Sequence, residues 1–142
     1  MKTFRLTILL IVLSTSFGLA QSSFEDETIF ENELASISTQ RVECISQRNG
    51  TAKVYLLIKA TNRSESSISV SFKKNLWFDG KCISCTSQSD EYKVNLELQP
   101  NESISGSCDE SNGLRIFVEM MDLKDVRKLS HYELENIEVN KL

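Results

Sequence analysis

The chain is short of the groups on which most enzymes and nucleic-acid binders depend. One histidine in 142 residues, His131, leaves few routes to acid–base or metal chemistry. Sixteen basic residues against 20 acidic ones, a net charge of −4, lack the basic excess that would neutralise phosphates, which argues against nucleic acid as a partner. No apolar run approaches the roughly 20 residues of a membrane-spanning helix. No GxSxG elbow accompanies the many serines. What is present is a 40% hydrophobic composition, enough for one domain with a core of its own and too apolar for a disordered tail.

The first residues have the pattern of a cleavable secretory signal. Lys2 and Arg5 supply a positive start, Leu6 to Leu13 an apolar run broken only by Thr7, and Gly18-Leu19-Ala20 the small residues that a signal peptidase reads. The run is too short to serve as an anchor, and no cysteine follows the cleavage site to carry a lipid. Cutting after Ala20 removes two basic residues and no acidic one, so residues 21–142 carry a charge of −6. The expected location is therefore secreted or periplasmic. Residues 21–38 hold five acidic residues before the first basic one, and Phe30, Leu34 and Ile37 fall at helical spacing. This segment is expected to be an acidic leader or a short helix, with the β domain spanning 39–142.

Export changes the meaning of the four cysteines, Cys44, Cys82, Cys85 and Cys108. An even number in an oxidising compartment reads first as disulfides. Three pairings are open, and the favoured one joins Cys82 to Cys85 and Cys44 to Cys108. Two sharper readings compete. Zinc held by four thiolates lacks a second CxxC of suitable spacing. Thiol–disulfide exchange, with Cys82 attacking and Cys85 resolving, lacks the helix that should follow the motif, because residues 86–91 form a polar stretch without apolar period.

From Thr39 onward the apolar period is that of strands. Val42 to Arg48 and Thr51 to Thr61 flank Asn49-Gly50, and a two-residue turn there would set Cys44 opposite Tyr55. Val54, Leu56 and Ile58 then point away from Tyr55 and Leu57, as expected of a central strand. Further strands are expected at Ile68 to Lys73, at Leu76-Trp77-Phe78 before the Asp79-Gly80 turn, at Lys93 to Leu98, at Leu114 to Met120, and at His131 to Val139 with a bulge near Asn136. About seven strands and no long helix predict an all-β antiparallel sandwich.

Two segments add a likeness to this pattern. Val54 to Ser64, which closes a strand on Asn62-Arg63-Ser64 and is followed by Ile68 to Phe72, and Leu96 to Ser103, which runs into Leu98-Gln99-Pro100-Asn101-Glu102, resemble the immunoglobulin-like sandwich domains of bacterial exported proteins. Asn101 stands where that pattern usually has glycine, and Trp77 lies too far from Cys44 for the antibody arrangement. The resemblance implies a fold and an extracytoplasmic setting, and carries over no catalytic residue or cofactor.

The remaining candidates are weak. Met120, Met121 and His131 invite a copper site, but adjacent methionines on a strand face opposite ways. Glu119, Asp122 and Asp125 invite calcium, yet Lys124, Arg127 and Lys128 are interleaved with them. The sequons at Asn49, Asn62 and Asn101 read as turn residues. The expected function is a non-enzymatic binding module for a protein or glycan of the cell envelope, with Trp77, Phe78 and Asp79 as the contact surface. The alternative is a thiol–disulfide or zinc-binding protein using Cys82 and Cys85.

Overall fold

The computed structural model describes residues 25–109 and 112–142. The expected signal peptide, residues 1–20, lies outside the described residues. The strands are β1 (Glu27–Glu31), β2 (Ala35–Ser46), β3 (Thr51–Asn62), β4 (Ile68–Phe78), β5 (Lys81–Cys82), β6 (Lys93–Leu98), β7 (Ser103–Ser105), β8 (Arg115–Met120) and β9 (Leu129–Lys141), with one 3-10 turn at Asp90–Tyr92. All pairings are antiparallel. In the first sheet β1, β2 and β3 lie in order, and the far edge of β3 is shared by β7 and β8. In the second, β4 pairs with β9 along its whole length, and β6 and β5 share its other edge.

Strand alternation builds one core between the sheets. Val54, Leu56, Ile58 and Ala60 of β3 and Ile68, Val70 and Phe72 of β4 occupy every second position and are buried in a single apolar cluster. The result is an all-β sandwich. Gly106 lets β7 and β8 share the β3 edge: its N–H donates to the Ile58 carbonyl, while the Ile58 N–H donates to Leu114. A Cβ on Gly106 would run into that same Leu114 carbonyl.

Several sequence expectations need correction. Residues 27–46 form a hairpin, so residues 27–38 are neither a leader nor a short helix and the sandwich includes residues before 39. Phe30 and Ile37 are cross-strand partners, and the Asn32 side chain closes the turn by accepting the Leu34 and Ala35 N–H groups at 2.9 and 2.8 Å. A strand, a three-residue turn and a strand happened to set apolar residues at helical spacing. The turn after β2 is also longer than expected. Ser46 faces Thr51, so Cys44 faces Lys53 and not Tyr55. Gly50 adopts φ +61° but Asn49 has no positive φ, which rules out a two-residue type I′ turn. The slip is of two residues, so every side chain keeps its face.

The two short strands expected at Ile68 to Lys73 and Leu76 to Phe78 are one continuous strand, and the described residues form nine strands where about seven were expected. Their apparent break is Lys74, a lysine at a core-facing position. The Asp79-Gly80 turn and the bulge in the last strand follow expectation. Asp79 and Gly80 have φ of +49° and +80°, with Phe78 paired to Lys81. At Asn136, φ +51°, the β4–β9 register shifts, which brings Tyr132, Leu134, Ile137 and Val139 all against the core.

One end of the sandwich is tied shut by a single side chain. Asn62, 1% exposed at the end of β3, donates to the carbonyls of Ser66, Leu98 and Gln99 and accepts from the Ser64 N–H and hydroxyl. The Asn62-Arg63-Ser64 and Leu98-to-Glu102 turns thus clasp each other, and Asn101 N–H adds a bond to Ser64. Asn101 has φ +59°, a conformation that asparagine tolerates in place of glycine. The Asn62 amide is fully engaged, so this sequon is a structural keystone.

Candidate functional site

The expected contact trio does not form one surface. Trp77 is half-buried on the outer face of β4, its ring 4.8 Å from that of His131, its cross-strand partner. Phe78, next along the strand, points the opposite way into the core. Asp79 holds a loop: its N–H donates to the Lys128 carbonyl and its Oδ1 accepts the Lys128 N–H. His131 is exposed, with Nε2 3.0 Å from Glu133 Oε1.

All four cysteines are paired, Cys44 to Cys108 and Cys82 to Cys85. With both bonds closed, no thiolate is available to zinc. Cys44–Cys108 crosses the outer face of the first sheet and ties β2 to the segment after β7. The Cys82–Cys85 loop has a different task. β5 covers one end of β4 and β6 the other, and residues Lys74 to Leu76 between them would be left bare. Ser84 fills that gap: its hydroxyl accepts the Leu76 N–H at 2.8 Å and donates to the Lys74 carbonyl at 3.0 Å, while the Ile83 N–H donates to the Leu76 carbonyl. The loop acts as a splint made of a side chain instead of a strand.

Above that splint the two sheets gape. A groove of about 300 Å³ runs between the β8 edge and the Lys74 to Phe78 stretch of β4. Its apolar surface includes Phe78 and Phe117, which stack with centroids 6.2 Å apart, and Tyr55, edge-on to Phe117 at 6.0 Å. Three cations stand around these rings. The Arg115 guanidinium lies 4.9 Å above the Tyr55 ring and donates to the Cys108 carbonyl; that of Arg127 lies 4.7 Å above Phe78. Lys74, 5% exposed, donates from Nζ to the Gly113 carbonyl at 2.7 Å. Burial holds its pKa below the usual lysine range, and the charge of Glu91 partly offsets this.

Among the described residues none of these three cations has a carboxylate at ion-pair distance. Of the expected contact residues, only Phe78 reaches the groove. Lys74, Arg115 and Arg127 were missed by sequence reasoning. For Lys74 a signal existed, a cation standing in phase with Ile68, Val70 and Phe72. The arginines carry no such mark, because their positions on a strand edge and a loop are ordinary ones for charge.

The other candidate sites dissolve. Met120 is half-buried and Met121 exposed, on opposite faces of the chain as adjacent strand positions are. Glu119 takes Lys128 and Arg41 as partners at 3.0 and 3.5 Å. Among the described residues no group of three or more histidine, cysteine or acidic side chains is placed to hold a metal ion, and no helix is long and apolar enough to cross a membrane. No protein-family model, curated protein or solved structure matches the chain.

Proposed function

We propose that this chain is a non-enzymatic, extracytoplasmic binding module, an immunoglobulin-like sandwich that holds a component of the cell envelope in the groove beside β8. The observation that carries this reading is the groove itself, where aromatic rings and charged groups converge at the open edge of the core. Two disulfides suit an oxidising compartment, and the amino-terminal pattern supports export. The test is co-sedimentation of the oxidised protein with isolated cell envelopes, comparing the native chain with Ile83→Trp. Ile83 lies at the groove, and a larger side chain there would obstruct it without entering the core. Binding that is lost in this variant, with an unchanged circular dichroism spectrum, supports the reading. Equal binding by both proteins, or none by either, overturns it.

A second reading has one observation of its own. The Cys85 N–H points at Cys82 Sγ, 3.1 Å away. Were the bond reduced by an external dithiol, that N–H would stabilise a Cys82 thiolate and favour Cys82 as the attacking sulfur. Thiol titration separates the readings. A native protein that exposes no thiol under mild reductant keeps only the structural role, whereas two labile thiols at Cys82 and Cys85 favour exchange chemistry.

A further inference from the structure

We propose that the groove selects an organic carboxylate: an anion mounted on a flat apolar body. The inference rests on the binding-module reading and specifies its ligand class. Three observations converge on it.

The first is charge. The chain is acidic overall, net −4, yet the groove is lined by Lys74, Arg115 and Arg127 against one carboxylate among the described residues, Glu91. A local reversal of sign in an acidic protein favours an anion and steers it to the site.

The second is unspent hydrogen-bonding capacity. Lys74 is nineteen-twentieths buried, and its ammonium carries three donors, of which the Gly113 carbonyl takes one among the described residues. A buried ammonium with one neutral hydrogen-bond partner, and with Glu91 beyond ion-pair distance, is costly unless something further compensates it. Among the described residues the guanidinium of Arg115 is likewise held by a ring face and one carbonyl, and that of Arg127 by a ring face. Both have a planar donor fork of the kind that meets a carboxylate with two parallel bonds.

The third is shape. Tyr55, Tyr92 and Phe117, all half-buried, supply ring surface beside the cations, with the buried Phe78 ring behind Phe117, and about 300 Å³ accommodates a body of one or two fused rings. Inorganic phosphate would satisfy the charge and leave this surface without a partner. A neutral aromatic would do the reverse.

Amide-resolved NMR titration of the oxidised full-length protein tests the proposal with three probes: 1-naphthoate, its neutral counterpart 1-naphthamide, and inorganic phosphate. Naphthoate is expected to shift the amides of Leu76 to Phe78 and Arg115 to Phe117 saturably, and to bind at least about tenfold more tightly than naphthamide. Phosphate should leave those amides unmoved. Arg127→Gln, an exposed substitution, should weaken naphthoate by about tenfold, and Glu91→Gln should strengthen it severalfold by removing the opposing charge. Naphthamide binding as well as naphthoate would overturn carboxylate selection while leaving a groove that binds. Phosphate shifting the same amides would overturn the need for an apolar body. No shift of the groove amides by any probe would overturn both this inference and the groove as the binding seat.

Discussion

The two ends of this sandwich bury a polar side chain in opposite ways. At the Asn62 end, one amide has five hydrogen-bond partners and joins two turns into a closed clasp. At the groove end, one ammonium, Lys74, is nearly as buried and has one carbonyl partner among the described residues. Satisfied burial stabilises a fold; incompletely satisfied burial stores a demand that a ligand can meet. The first arrangement belongs to architecture; the second is the seat of the proposed recognition. Substitutions should separate them, because damage at the clasp lowers stability and damage at the groove lowers affinity.

The largest effect is expected at the disulfide that closes the long loop beside the groove. Cys44→Ala with Cys108→Ala opens a loop of 64 residues' separation, and urea denaturation should record a loss of about 4 kcal/mol on loop-closure grounds. Naphthoate binding should weaken too, because the Cys108 carbonyl holds Arg115. Next, Asn62→Ala should cost about 3 kcal/mol by leaving carbonyls of the clasp without their donor, and naphthoate affinity in the folded protein should not change. A large affinity loss here would break the proposed division between the ends.

Ser84→Ala sharpens the comparison from the middle. It removes the bridge to the Lys74 and Leu76 backbone under the groove floor, so a loss of about 2 kcal/mol should be accompanied by weaker naphthoate binding, read by the same two measurements.

Lys74→Met tests the buried charge through pH. The Lys74 pKa is lowered from its ordinary 10.5 by burial, so the unfolded chain binds the proton more tightly than the folded one. Native stability therefore rises with pH between the lowered value and 10.5, and the cost of the buried charge is constant below that window. Urea midpoints from about pH 8 to about pH 11 should show this rise in the native protein relative to Lys74→Met, which lacks it. Tyr132 acts in the opposite sense, since burial raises its pKa, and it cancels in the difference between the two proteins. The smallest stability effect is expected for Arg127→Gln, within about 0.5 kcal/mol of native, alongside its tenfold loss of naphthoate affinity.

Much of this contrast was half-visible in the chain. Alternation along Val54 to Ile58 and Ile68 to Phe72 marks strands and the faces they bury. The Asp79-Gly80 turn and the phase change at Asn136 are local events, and each was legible from a few residues. The favoured cysteine pairing is the one that forms. By contrast, Phe30, Leu34 and Ile37 misled because helical spacing and a hairpin with a short turn place apolar residues at the same intervals. Choosing between them requires knowing that β2 has β3 as a partner, and pairing is not local. Lys74 misled in a similar way. Read alone, a lysine in an apolar phase ends a strand; in the fold it continues one, because Gly113, nearly forty residues on, supplies a carbonyl to receive it.

The sequence by itself determined the class of the molecule: an acidic β protein with four cysteines and a single histidine. Those properties follow from composition and from a period of two, which each residue expresses wherever its strand ends up. Only the tertiary structure decided which polar residues close the sandwich and which leave it open. The partners of Asn62 and Lys74 lie on other strands and turns, and whether a buried group is satisfied depends on what the fold brings to it.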